Sequence, residues 1–463
     1  MIPLSLAQIA EITGATLDHV PDPGVLAGGP VVIDSRAAAP GGLFAALPGE
    51  RADGHDFAAA AVSAGVAAVL ASRPVGVPAL IVADVPAALA ALARGVLDRL
   101  PGVTVAGITG SSGKTTTKDL LAQLVERLGP TVAPAGSFNN ELGHPLTVLR
   151  ADEQTRYLVL ELGARGRGHI AALCAIAPPR LGAVLNVGRA HVGDYFADQD
   201  DVAQAKGELV EALPAHGLAA LNADDPRVLA MSSRTVAPTV TFGRSATAQV
   251  RATDVSVDGE GRTSFTLTTP AGRAPVRLNL RGEHNVSNAL AAAVLAGGLG
   301  LDTGTIAAGL SEAVARSRYR MEVTRRPDGV TVINDAYNAN PDSVRAGLTA
   351  LAGMAAGGRT HAVLGRMAEL GDNSRAWHEE VGAAAARLGI STLIVVGDEA
   401  AAMLDGARSV PGWPGEPVAV PDAPAALKAV TDRIAPGDVV LVKASKAVGL
   451  WDVAIELAAE ASR

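Results

Sequence analysis

Eight consecutive positions, Thr109, Gly110, Ser111, Ser112, Gly113, Lys114, Thr115 and Thr116, bring two glycines, one lysine and five hydroxyl groups together. An apolar run, Val103-Thr-Val-Ala-Gly-Ile108, precedes them. A helix-forming run from about Thr115 to Leu128 follows. Gly110 and Gly113 let the backbone turn its N–H groups inward around a phosphate. Lys114 can reach the β- and γ-phosphates, and the Thr115 hydroxyl can bind Mg²⁺. The strict pattern GxxxxGK[ST] is missed by one position. Its first glycine falls on Ile108, and the nearest glycine is Gly107. A plain Gly/Ser turn is the alternative, and the strand–loop–helix context speaks for the phosphate site.

Three further groups follow at intervals. Glu161 closes the apolar run Tyr157-Leu-Val-Leu160, and a carboxylate at the C-terminal end of a parallel strand points into a ligand crevice. It is a hard oxygen ligand that can face Mg²⁺ opposite Thr115. His191 lies in Asn186-Val-Gly-Arg-Ala-His191, and Lys206 in Ala205-Lys-Gly-Glu208. Taken singly, these read as a solvated loop Glu, a turn His and a helix-surface Lys. Their joint order behind a phosphate loop weighs against those readings. Asn222, Asn285 and Asn288 are further polar candidates. The last two sit in Gly282-Glu-His-Asn-Val-Ser-Asn288, where capping a helix N-terminus is an equal reading.

These groups need elements to hold them, and the sequence supplies an α/β pattern. Short apolar runs alternate with Ala-rich helical runs, which predicts three domains, at 1–100, 101–318 and 319–463. In the central domain, Tyr157–Leu160, Ala183–Asn186 and Leu218–Asn222 are predicted buried parallel strands. From about Thr239 to Leu280, alternating runs joined by Gly-rich turns predict antiparallel strands added at one edge. A helix is expected over about Val286–Gly297. The third domain repeats the doubly wound pattern, with strands at Val330–Ile333, Ala362–Leu364, Thr392–Val396 and Val439–Val442. No run approaches the ~20 apolar residues of a membrane span, and Met1 to Ala10 lacks a signal-peptide pattern. Cys174 is the single cysteine, so a cytoplasmic location is expected. The net charge of −8 argues against a nucleic-acid surface, and a monomer is expected.

The run Thr-Gly-x-x-Gly-Lys-Thr-Thr, followed by Glu161, His191 and Lys206, resembles the Mur ligase family. The resemblance implies an ATP-dependent carboxylate–amine ligase working through an acyl-phosphate. Its cofactors are ATP and two Mg²⁺ ions, held by Thr115, Glu161, His191 and Lys206. Lys206 carries a carbamate formed from CO₂, which turns a repelling ammonium into an anionic oxygen ligand. Asn285 matches the adenine contact and Asp335 the ribose contact. Arg318 and Arg320, in Ser317-Arg-Tyr-Arg-Met-Glu322, compete for the arginine that reaches the γ-phosphate. Arg320 is preferred because an apolar residue follows it, although Tyr319 stands where the family carries glycine.

Within the family, Tyr337-Asn-Ala-Asn-Pro341 resembles the member whose amine substrate is D-alanyl-D-alanine and whose acceptor is UDP-N-acetylmuramoyl-tripeptide. Tyr337, Asn338, Asn340, Lys443 and Ser445 are the implied dipeptide contacts. Glu369 falls in a further matching run, Leu364-Gly-Arg-Met-Ala-Glu-Leu-Gly371. Ser35 and Arg36 match the uridine or pyrophosphate site of a small N-terminal UDP-binding domain, with a surface turn as the alternative. Asn139 and Asn140 match the loop that receives the muramoyl-peptide. The third domain is then Rossmann-like and binds the amine. The rivals are a sister ligase adding another amino acid, and a regulatory ATPase that forms no bond.

Overall fold

Apolar runs of four to six residues become strands covered on both faces, so they need no polar alternation. The computed structural model describes residues 1–49, 52–189, 192–355 and 357–459. At its centre the strand Thr104–Thr109 is flanked by Leu181–Val184 and Tyr157–Glu161, both parallel to it. Ile108 pairs with Glu161 and Thr109 with Val184, so all three strands end at one edge. Alternate residues serve opposite faces. Ala106, Ile108 and Val159 pack under the helices Lys114–Val125 and Asn285–Gly298. Val105, Leu158 and Leu160 face the helices His169–Ile176 and Gln199–Glu211. Gly107 belongs to this packing and not to the phosphate loop, since a Cβ there would lie 2.9 Å from Leu162 Cδ1 and 3.1 Å from Leu209 Cδ1.

The central sheet has nine strands, running outward from Thr131–Val132 through Tyr157–Glu161, Thr104–Thr109, Leu181–Val184 and Leu218–Asn222 to Thr239–Gly243. Three more complete it, Val250–Val257, Arg262–Thr269 and Gly272–Arg281. The predicted antiparallel edge starts later than expected. Thr239–Gly243 pairs parallel with Leu218–Asn222, and antiparallel pairing begins only between Val250–Val257 and Arg262–Thr269. The predicted strand Ala183–Asn186 also stops early, at Val184, because Asn186 turns toward the phosphate loop.

A five-stranded sheet lies before the central one, within residues 16–81, parallel except where Thr16–Asp18 pairs with Ala79–Ile81. A six-stranded sheet lies after it, within residues 322–443. Its order is Glu322–Arg325, Thr331–Asn334, Val439–Lys443, Thr360–Gly365, Thr392–Val396 and Glu416–Val420. Only the first pair is antiparallel. The ends of Thr331–Asn334 and Val439–Lys443 therefore lie side by side and carry Asp335 and Lys443 to a common edge. Among the described residues no helix is long and apolar enough to cross a membrane.

Candidate active site

Gly113 adopts the left-handed conformation, φ 83° and ψ −10°, directly before the helix Lys114–Val125. A side chain there would meet the Asn288 carboxamide, with Cβ 2.2 Å from Oδ1. The loop is therefore closed from one side by Asn288. From the other side Asn186 clasps it: Asn186 Oδ1 accepts from Ser112 N at 3.0 Å, and Nδ2 donates to Ser112 O at 3.2 Å. Lys114 Nζ donates to Gly110 O at 2.7 Å, folding the lysine back over the loop. Burial lowers the Lys114 pKa, with Glu161 opposing and Arg320 adding to the effect.

Thr115 follows. Its hydroxyl donates to Glu161 Oε2 at 2.7 Å. The other oxygen, Oε1, accepts from Ser137 Oγ at 3.0 Å and Asn139 Nδ2 at 2.6 Å. Glu161 is 1% exposed, so this carboxylate is held between the phosphate loop and the Asn139 loop. Lys206, on the helix Gln199–Glu211, is 4% exposed and lines the same cavity. Among the described residues it has no hydrogen-bond or ion-pair partner. Burial, then the charge of Lys114, pushes its pKa well below the ordinary lysine value. An unpaired ammonium is costly in such a place. His191 lies outside the described residues. Among them no cluster of three His, Cys, Asp or Glu side chains stands ready for a metal ion.

The cavity is a cleft of about 1870 Å³ that all three sheets' units line. Arg320 enters it from the third unit, its guanidinium 4.3 Å from the centre of the Tyr337 ring. Its Nε is buried and has no partner among the described residues. Arg318 is exposed, lies outside the cleft and rests on Tyr319 at 4.8 Å. Tyr319 has φ 61°, a backbone conformation that glycine adopts without strain and tyrosine does not. Stacking on Trp451, with ring centroids 5.7 Å apart, helps hold it there.

The remaining candidates divide. Asp335 Oδ2 accepts from Lys443 Nζ at 2.6 Å and Oδ1 from Met321 N at 3.1 Å, and Lys443 also donates to Asn338 O at 2.9 Å. Lys443 thus braces the Asp335 loop, and both groups line the cleft. Ser445 Oγ accepts from Ala368 N at 2.7 Å. Asn340 caps the helix Pro341–Gly353, its side chain accepting from Ser343 N at 2.9 Å. Asn285 and Asn288 do not cap their helix: His284 holds that position without a side-chain bond. Instead Asn288 Nδ2 donates to Asn285 Oδ1 at 2.9 Å, and Asn285 Nδ2 to Arg281 O at 2.7 Å. Asn140 lines the cleft and accepts from Gly143 N at 2.9 Å.

Five of the remaining candidates, Thr109, Gly110, Asn222, Ser35 and Arg36, lie outside the cleft lining. Thr109 is fully buried and donates to Leu162 O, and Asn222 donates to Leu185 O. Ser35 and Arg36 sit on a short turn where Arg36, with 89% of its side chain exposed, pairs with Asp34 at 2.6 Å. The surface-turn alternative describes their position here. Sequence reasoning gave no role to Asn186, Ser137 or Lys446. Asn186 and Ser137 hold the loop and Glu161, and Lys446 stands in the cleft 5.8 Å from the Tyr337 ring. An asparagine immediately past a buried strand was the available signal for the first.

Three family models match the chain: "Mur ligase family, catalytic domain" over residues 30–107, "Mur ligase middle domain" over 108–296, and "Mur ligase, glutamate ligase domain" over 319–446. The UDP-N-acetylmuramoyl-tripeptide--D-alanyl-D-alanine ligase of Mycobacterium tuberculosis (strain ATCC 25618 / H37Rv) is 51% identical, covering 99% of this chain and 98% of its own. The Escherichia coli (strain K12) protein of that name is 38% identical over 87% of this chain and 88% of its own. A crystal structure of MurF from Acinetobacter baumannii superposes with a TM-score of 0.88 at 31% identity, covering 98% of this chain and 99% of that one. MurF ligase from Thermotoga maritima, solved in complex with ADP, gives 0.78 at 30% identity over 93% and 97%. With the phosphate loop, the Thr115–Glu161 pair and the buried Lys206 around one cleft, and with relatives this similar along its whole length, the chain belongs to the Mur ligase family.

Proposed function

We propose that this chain is an ATP-dependent, ADP-forming ligase that adds D-alanyl-D-alanine to UDP-N-acetylmuramoyl-tripeptide, yielding the muramoyl-pentapeptide of peptidoglycan synthesis in the cytoplasm. The observation that carries the reading is the convergence of Lys114, the Thr115–Glu161 pair and an unpartnered Lys206 on one cleft. The M. tuberculosis relative, similar over its full length, bears the name of this activity. Residues 1–100 take the UDP-sugar, 101–318 the ATP, and 319–463 the amine.

The substrate's terminal carboxylate attacks the γ-phosphorus, giving an acyl-phosphate and ADP. The dipeptide amine then attacks the acyl carbon, and phosphate leaves through a tetrahedral intermediate. The protein's part is positioning and charge stabilisation. Lys114 and Arg320 bear on the transferring phosphoryl group. Tyr337 backs Arg320, and Asn285 and Asp335 orient the nucleoside. Lys443 braces the Asp335 loop beside the dipeptide, with Asn338 and Ser445 as contacts.

Thr115 and Glu161 fit Mg²⁺: a hydroxyl and a carboxylate, both hard oxygen donors, meet at the end of the phosphate loop. Lys206 and His191 complete the set for two ions. Bound Mg²⁺ screens phosphate charge. A buried neutral Lys206 amine takes up CO₂ and releases one proton, becoming an anionic carbamate, and this accounts for a lysine with no partner beside Lys114. The test is phosphate release from purified protein, Mg²⁺, ATP, tripeptide substrate and dipeptide, each omitted in turn. Release that requires every component is expected. Release that ignores both peptides makes the chain an ATPase, and preference for another amine moves it to a sister step.

A further inference from the structure

The segment from Asn186 to Arg189 joins two parts of the molecule that the chemistry needs together. One side holds the phosphate loop: Asn186 clasps Ser112, and Gly188 N donates to Ser111 Oγ at 2.9 Å. The other side meets the third unit. Arg189 N donates to Asp342 Oδ2 at 3.2 Å. The Arg189 guanidinium donates to both Glu380 oxygens, at 3.1 and 3.0 Å, and lies 4.4 Å from the Trp377 ring centre. Asp342 and Glu380 sit on separate helices, Pro341–Gly353 and Ser374–Arg387. Arg345 bonds to both carboxylates and makes them one acceptor surface.

The approach is close enough to need glycine. A Cβ on Gly188 would fall 2.6 Å from Asp342 Oδ2. Gly193 and Gly371 meet backbone to backbone across the same junction: a Cβ on Gly371 would fall 2.5 Å from Gly193 C, and one on Gly193 2.7 Å from Leu370 O. Arg320, Asp335 and Tyr337 come from the third unit, so its seating decides whether they reach the phosphate loop.

We propose that Arg189 is a positioning residue, a latch that ties seating of the third unit to the phosphate loop through Glu380, Trp377 and Asp342. Its guanidinium combines a two-oxygen carboxylate contact with an aromatic face, a geometry lysine cannot copy. At 31% side-chain exposure on both partners, the pair is only partly screened. The kinetic part of the proposal rests on the ligase reading; the conformational part does not.

The test compares wild type, Arg189→Ala, Arg189→Lys, Glu380→Gln and the Arg189→Ala/Glu380→Gln double variant. Small-angle scattering is recorded with Mg²⁺ and a non-hydrolysable ATP analogue, and steady-state kinetics with all substrates. In Arg189→Ala the radius of gyration rises, and kcat falls about tenfold to thirtyfold, as for loss of a partly buried charged contact. KM for the UDP-linked substrate stays within about twofold. Arg189→Lys recovers part of kcat, and the double variant is no slower than Arg189→Ala. Circular dichroism melting fixes whether each variant is folded. Wild-type scattering and kcat in folded Arg189→Ala overturn the latch, as does a double variant whose losses multiply. If Arg189→Ala does not fold, Glu380→Gln alone must shift both readouts, and its silence overturns the proposal. If wild type makes no product, the ligase reading fails while the scattering comparison still judges the latch.

Discussion

Replacing Gly113 with alanine tests how the phosphate loop is held. The residue sits at φ 83°, where a side chain costs roughly 1–2 kcal/mol. The added Cβ would also lie 2.2 Å from Asn288 Oδ1. Asn288 cannot simply swing away. Its Nδ2 donates to Asn285 Oδ1 at 2.9 Å, its Oδ1 lies 3.4 Å from Thr117 Oγ1, and it is 5% exposed. Displacing that buried carboxamide costs a further ~1–3 kcal/mol. The loop then reaches its phosphate-binding conformation at a penalty of about 2–5 kcal/mol, which weakens ADP binding by about 30-fold to several thousand-fold. Titration calorimetry with Mg²⁺·ADP measures this directly, and it avoids a global unfolding free energy that a chain of several domains does not define. In an Asn288→Ala background the clash is gone and only the backbone term of roughly 1–2 kcal/mol remains. An equal loss from Gly113→Ala in both backgrounds refutes the reasoning, because the contact with Asn288 would then contribute nothing.

Further perturbations have defined outcomes. Lys206→Arg, a permanently charged side chain that cannot add CO₂, should reduce turnover at least about a hundredfold, and wild type assayed in CO₂-free buffer should regain rate on adding bicarbonate. Because burial lowers the Lys206 pKa, the neutral amine that takes up CO₂ is lost as pH falls through that depressed value, so the bicarbonate requirement should sharpen on the acid side. His144 is fully buried, and burial lowers its pKa to about 4 against the opposing effect of the Leu173 backbone. The unfolded chain binds the extra proton below the ordinary histidine value of 6.5, so His144 should remove up to about 3 kcal/mol of stability as pH falls from 6.5 to 4. Thermal melts of His144→Leu should show a shallower acid slope than wild type; an identical slope removes His144 from the account. Asn340→Ala should cost about 1 kcal/mol through loss of the helix cap, read as a lower melting temperature of the third unit, with Asn340→Asp close to wild type.

The central sheet was legible because its strands are buried on both faces and so stand out as unbroken apolar runs. Leu218–Asn222 appears as predicted, and Tyr157–Glu161 gains one residue, the carboxylate expected at its end. The phosphate loop and Lys206 were legible because their residue types are unusual at that spacing. What escaped depends on contacts distant in sequence. Nothing local tells that Asn288 packs against Gly113, 175 positions away by number. Arg189 reads as a loop arginine until the third unit brings Glu380 against it. The strand Thr239–Gly243 alternates like an antiparallel strand, yet it lies inside the sheet, parallel to both Leu218–Asn222 and Val250–Val257. Tyr319 holds a backbone conformation that favours glycine, and Trp451, far along the chain, stacks against it.

The most direct test of the account follows one oxygen atom. The tripeptide substrate is prepared with ¹⁸O in its terminal carboxylate and incubated with the protein, Mg²⁺, ATP and D-alanyl-D-alanine. If that carboxylate attacks the γ-phosphorus and the dipeptide amine then displaces phosphate, one ¹⁸O passes into the released phosphate and the other stays in the new amide. Mass spectrometry should find singly labelled phosphate in step with pentapeptide. Unlabelled phosphate would mean that water, not the carboxylate, takes the phosphoryl group, and would contradict the acyl-phosphate ligase that the cleft has been read to be.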